Sequence, residues 1–180
     1  KSIYVTMGSS GNNQALTQIA KACVQLDRHI IISGLNQTEA EKLFTAVPEL
    51  KSKATIKVLV NAEEILANCD LTICHGGSGT VYQSLKANTP VLCFPHNPDQ
   101  GLVAMAVKDG NWGRTVSPAN SNVGFILQTI KNLLSNQEIA QSVEKFSKKL
   151  NLHQTKNQWI LFLSNLTTAP INQSIEEEVL

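Results

Sequence analysis

Three glycines, a histidine and two hydroxyls stand together in the run HGGSGT, from His75 to Thr80. These residue types at this spacing suit an anionic ligand. Gly76, Gly77 and Gly79 remove side chains from its approach, Ser78 and Thr80 offer hydroxyls, and a helix opening here adds unpaired N–H donors at its positive end. The chemistry they point to is a diphosphate cradle, with His75 as a ligand-contacting side chain. A dinucleotide fingerprint needs a further glycine where Tyr82 stands, and the Gly-x-x-x-x-Gly-Lys-Ser/Thr run of a P-loop is absent, so both of those phosphate sites are excluded.

Two other runs carry similar chemistry. In MGSSGNN, Gly8 and Gly11 allow close backbone approach and Ser9 and Ser10 present hydroxyls; the same glycines serve equally well to make a plain strand-to-helix turn. In FPHNPDQ, Asp99 and Gln100 place a carboxylate beside an amide, a pair matched to vicinal sugar hydroxyls. Asp99 has a competing use as the cap of a helix beginning near Gly101. His96 in the same run either touches a ligand or caps a turn.

Elements that could position these loops are legible as apolar runs: IYVTM (3–7), HIIIS (29–33), IKVLV (56–60), LTIC (71–74), VLCF (91–94) and RTVS (114–117). Helix-like segments separate them, which makes the chain α/β. Strands that are apolar throughout imply a sheet covered on both faces, so the expectation is a Rossmann-like, doubly wound parallel sheet of about six strands. Ligands of such sheets bind outside the carboxyl ends of the strands, where all three runs fall. Helices are expected over 122–134 and 136–150, with a third near 154–166 whose Trp159, Phe162, Leu163 and Leu166 form one stripe. Residues 1–166 are read as the domain and 167–180 as a tail.

The 180 residues suit one domain, and 15 basic against 14 acidic side chains with no basic run argue against nucleic acid as a partner. Cysteines 23, 69, 74 and 93 show neither metal-type pairing nor a disulfide framework and read as buried thiols. No run is long enough to span a membrane and no signal peptide opens the chain; the expected compartment is cytoplasmic. The entry into a strand almost at Lys1 suggests a longer polypeptide.

Taken together, GSSG, HGGSGTVYQSL and NTPVLCFPHNPDQ resemble the C-terminal, donor-binding half of GT-B nucleotide-sugar glycosyltransferases, in the family of UDP-glucosyl-, glucuronosyl- and macrolide glycosyltransferases. The likeness runs from about residue 3 to 117 and is most specific from His75 to Gln100. It implies that the segment from His75 to Thr80 holds the donor's diphosphate, with Gly8, Ser9 and Ser10 beside it, and that Asp99 and Gln100 hold the sugar. A bound phosphate would raise the pKa of His75. The family's aromatic-proline element for the base is replaced here by VLVNAEEIL, leaving Leu59 and Val60, with Asn61 next to them, to line the base.

The resemblance further implies inverting transfer of a hexose from a UDP- or dTDP-sugar to a small-molecule or lipid acceptor, with neither metal nor cofactor. Its general base would come from an N-terminal acceptor domain of the same polypeptide, so no catalytic residue is assigned in these 180 residues and the chain alone is expected to be an inactive half. Two alternatives stay open: a free-standing nucleotide-sugar-binding subunit that needs a separate acceptor subunit, and a GT-B nucleotide-sugar epimerase.

Overall fold

A computed structural model describes residues 2–8, 13–117 and 121–152. Six strands, β1 (Ser2–Thr6), β2 (His29–Ser33), β3 (Ala54–Lys57), β4 (Cys69–Cys74), β5 (Val91–Cys93) and β6 (Gly113–Thr115), form one sheet in the order β3-β2-β1-β4-β5-β6. Every neighbouring pair is parallel. Ile3, Tyr4 and Val5 are all buried, as are Leu71 to Cys74 and Val91 to Cys93. Side chains alternate between faces along a strand, so burial of consecutive residues requires helices on both sides.

Those helices are α1 (Asn13–Cys23), α2 (Gln37–Ala46), α3 (Leu50–Lys53), α4 (Ala62–Leu66), α5 (Ser78–Lys86), α6 (Pro98–Asp109), α7 (Val123–Ser135) and α8 (Gln137–Leu152). Leu16, Ile19, Ala20 and Cys23 bury one stripe of α1, and Ile126, Ile130 and Leu133 bury the stripe of α7 that packs on it. α8 packs on α5, where Ser147 Oγ and Asn151 Nδ2 donate to the Lys86 carbonyl at 2.8 and 3.1 Å. These bonds satisfy a carbonyl that the end of α5 leaves without a helical partner. Trp112, ahead of β6, stacks on Phe146 of α8 with ring centroids 3.9 Å apart.

Three expected boundaries are corrected. The third strand lies two residues earlier than the run 56–60 and ends sooner: β3 spans 54–57, and Val58 and Leu59 are 65% and 88% exposed. β3 is an edge strand whose pairing with β2 ends at Ser33↔Lys57, so nothing covers the apolar residues beyond. The helix expected near Gly101 begins instead at Pro98, capped by Asn97, whose side chain accepts from the Gln100 N–H at 3.0 Å. Asn-Pro is the better start signal: Asn caps, and Pro fits the first turn because its missing N–H has no helical acceptor there. β6 also starts one residue early, although Val116 N–H still donates to the Cys93 carbonyl at 2.9 Å. Expectations for 154–166 and for the tail lie outside the described residues.

Candidate functional site

Strand order reverses between β1 and β4, because β1 is followed by β2 on one side while β4 leads to β5 on the other. The loops leaving adjacent carboxyl ends therefore diverge and open a crevice between them. Gly8 follows β1 and His75 follows β4 at this point, and they touch. A Cβ on Gly8 would lie 2.6 Å from His75 Cε1, and one on Gly77 would lie 2.7 Å from His75 Nε2. The imidazole is thus held between two glycine backbones. Gly8 also has φ +62°, a conformation that excludes most side chains independently of the contact.

The β5 loop joins from the other side. Gly76, at φ +91°, comes so near that a Cβ there would meet the Gln100 carbonyl at 3.0 Å. His96 in this loop places its ring centroid 6.4 Å from that of His75, tilted by 44°. Beneath them Cys74 and Cys93 are register partners on β4 and β5. Gly76 N–H donates to Cys74 Sγ at 3.4 Å, and donation of the Cys93 thiol to Cys74, followed by burial, pushes Cys93 above the ordinary thiol range. Both thiols are free and buried, as is Cys23, while Cys69 is half-buried.

α5 begins in this crevice without a side-chain cap: Gly77 is its N-cap residue and offers no oxygen to the first-turn N–H groups. Their partial positive charge lies at the end of the turn that His75 opens. Ser84 Oγ lies 2.9 Å from Thr72 Oγ1 and 2.7 Å from the Thr80 carbonyl, which pins the first turn of α5 to buried β4. His75 Nδ1 is buried with no hydrogen-bond partner among the described residues. Burial, and after it the neighbouring His96, holds the His75 pKa below the usual imidazole value, with the Thr6 backbone pulling weakly the other way. In the free chain the ring is neutral near pH 7, and the Thr6 backbone is the one hydrogen-bonding influence on it.

The sequence-based set therefore divides. Gly8, His75, Gly76, Gly77 and Gln100 converge; Ser78 and Gly79 are exposed on the first turn of α5, and Thr80 is half-buried. Ser9 and Ser10 lie outside the described residues. Asp99 and Gln100 do not face the same way: Asp99 is exposed, whereas Gln100 is 6% exposed and its Oε1 accepts from the His96 N–H at 3.1 Å. With Asn97 as the cap, Asp99 has no capping duty. Leu59 and Val60 follow the edge strand, two strands or roughly 10 Å across the sheet from β1. His96 is what the motif reading left undecided, and its signal was present in sequence: a second imidazole in a proline-stiffened loop after a central strand. Among the described residues no group of three or more His, Cys, Asp or Glu is placed to hold a metal ion, and no helix is long and apolar enough to cross a membrane.

Gly79 is the informative glycine of this turn. A Cβ there meets nothing within 4 Å, so Gly79→Ala is expected to raise stability by about 0.4–1 kcal/mol, because alanine loses less freedom on entering a helix. Any loss of ligand affinity in that variant would report a ligand passing over the turn; thermal melts beside ligand titration separate the two effects.

A doubly wound sheet with a glycine-rich, uncapped helix start at its switch point has its N–H donors where open α/β sheets take ligands. The chain belongs to the family of the glycosyltransferase family 28 C-terminal domain, whose model matches residues 2–159. It is 29% identical over 154 residues to the zeaxanthin glucosyltransferase of Pseudescherichia vulneris, covering 83% of this chain and 36% of that protein. It is 27% identical over 146 residues to a PGL/p-HBAD biosynthesis glycosyltransferase of Mycobacterium tuberculosis, covering 81% and 32%. The chain thus spans about a third of the length of these relatives. Its fold is shared by the spinosyn forosaminyltransferase, with a TM-score of 0.77 at 18% identity over 92% of this chain and 43% of the other. The spinosyn rhamnosyltransferase gives a TM-score of 0.72 at 22% identity over 84% and 41%.

Proposed function

We propose that this chain is the donor-binding part of an inverting hexosyltransferase that uses a UDP- or dTDP-sugar. The observation that carries the reading is the β1/β4 switch point, where His75, clasped between Gly8 and Gly77, immediately precedes the uncapped start of α5. The diphosphate lies against Gly8 to Ser10 and the turn His75 to Thr80, and the base extends toward Leu59 and Val60 at the edge strand. Asp99 accepts from sugar hydroxyls, and Gln100 contributes its amide from the buried side of the same turn.

In such a transfer an acceptor oxygen attacks the anomeric carbon as the bond to the diphosphate breaks, and negative charge grows on the leaving group. Donors already aimed at that charge act on the transition state more than on the ground state, an effect worth roughly 2.7–4 kcal/mol per donor where it has been measured. The first-turn N–H groups of α5 and the imidazole of His75 fill that role. Removing the acceptor's proton requires a base, which we assign to a region outside these 180 residues. The isolated chain is accordingly expected to bind donor without turning it over; the acceptor class is a small molecule or lipid.

Calorimetric titration with UDP, UDP-glucose and dTDP-glucose tests the reading and ranks the bases. Asp99→Asn is expected to weaken the sugar-bearing ligands about tenfold, the scale of one charge-assisted hydrogen bond, while leaving UDP within twofold. Equal weakening of all three would remove Asp99 from the sugar site. No binding of any of the three at millimolar concentration would overturn the donor reading.

A further inference from the structure

The described loops leaving β1, β4 and β5, with sequences TMG, CHGGSGT and FPHNPDQ, contain no lysine or arginine. A diphosphate seated among them would meet only two side chains able to become cationic. These are His75 and His96, on neighbouring loops, with ring centroids 6.4 Å apart. That spacing leaves room for an anion's oxygens between the rings. It is also too close for two imidazolium ions to coexist easily without one.

We propose that His96 is a second imidazole ligand of the diphosphate, so that the His75–His96 pair supplies the positive side-chain charge of the site. The inference rests on the donor-binding reading and adds to it a residue and a regulation. His96 is exposed, and its loop is fixed from below by the bond from its own N–H to buried Gln100. The backbone of His96 is thereby anchored 6.4 Å, ring to ring, from His75, and among the described residues no hydrogen bond occupies its ring nitrogens. Around the pair, the other titratable groups are the buried thiols of Cys74 and Cys93 beneath and the Asp99 carboxylate in the first turn of α6. Asp99 is the one charged side chain among these loops, and it carries the same sign as the ligand, so it repels the diphosphate.

Proton linkage follows. In the free chain burial and the neighbouring His96 disfavour the charged form of His75, whereas a bound diphosphate favours a cationic site. Binding therefore takes up protons, and affinity rises as pH falls. UDP-glucose is the suitable probe because its diphosphate is esterified at both ends and keeps its charge over this range.

The experiment is titration of the whole chain with UDP-glucose at pH 6 and pH 8, in two buffers of different ionisation enthalpy to count protons. Wild type is expected to bind at least roughly tenfold tighter at pH 6 than at pH 8, since one linked proton changes affinity by up to tenfold per pH unit. His96→Ala is expected to be about tenfold weaker than wild type at pH 6, within about twofold at pH 8, and to take up fewer protons. His96→Lys keeps its charge throughout and should hold affinity at both pH values with a shallower slope. An exposed side chain contributes little to folding, so these variants should melt with wild type. Equal affinity and equal proton uptake in wild type and His96→Ala would overturn the proposal while leaving the donor reading intact. Failure of wild type to bind UDP-glucose would overturn both.

Discussion

His75→Ala is expected to weaken every diphosphate ligand by roughly tenfold to a hundredfold, the range of a hydrogen bond to a charged partner, with little change in stability. Both halves of that expectation come from the same geometry. The ring is clasped by the backbones at Gly8 and Gly77, so deleting it loses packing; it also carries a buried nitrogen without a partner, so deleting it removes a desolvation penalty. The two terms oppose each other, whereas nothing offsets the lost contact to the ligand. The pH dependence has opposite signs for folding and for binding. Because the folded-state pKa lies below the unfolded one, the unfolded chain takes up the proton first, and His75 lowers stability as pH falls below the ordinary imidazole value near 6.5. A bound diphosphate raises the folded pKa and reverses that trend. Melting temperatures with and without saturating UDP-glucose at pH 5.5 and pH 8 check both signs. A His75→Ala protein that binds UDP, UDP-glucose and dTDP-glucose as wild type does would remove His75 from the site.

The central strands were readable from sequence because burial on two faces leaves no polar residue to obscure them: Ile3 to Val5, Leu71 to Cys74 and Val91 to Cys93 sit where their apolar runs place them. The edges were less readable for the same physical reason. At β3 the chain continues apolar through Val58, Leu59 and Val60 after its only neighbour has ended, and composition cannot show that Val58 and Leu59 have lost their cover. The glycine-rich turn announced the helix start at Ser78, yet its most specific property, an imidazole wedged between Gly8 and Gly77, joins residues 67 or more positions apart in one direction and two in the other. Spacing along the chain carries the second contact and not the first. In FPHNPDQ spacing set Asp99 and Gln100 side by side, whereas folding turns them apart: Asn97 takes the cap, Gln100 turns inward to brace His96, and Asp99 stays exposed.

Glycines distinguish what the sheet needs from what a ligand would need, and Gly113→Ala is expected to have the largest effect on stability. Gly113 is buried in β6 opposite Val91, where a Cβ would stand 1.8 Å from the Val91 carbonyl oxygen and 2.9 Å from Val107 Cγ1. Neither neighbour can yield: the carbonyl belongs to a central strand and Val107 is a buried residue of α6. β6 must move off β5 or α6 must shift, at a cost of about 3 kcal/mol, the upper part of the range for forcing atoms into a packed core. For a chain of this size that lowers the melting temperature by roughly 6–12 °C. Gly79→Ala makes the same chemical change in open space and is expected to move stability the other way. The pair therefore forms a controlled comparison. Below its melting transition Gly113→Ala should retain donor affinity within about twofold, since the His75 crevice lies at β1 and β4, while Gly79→Ala should be stable and weak. A melting temperature for Gly113→Ala within about 2 °C of wild type would show that β6 is not held against β5 as closely as this register requires.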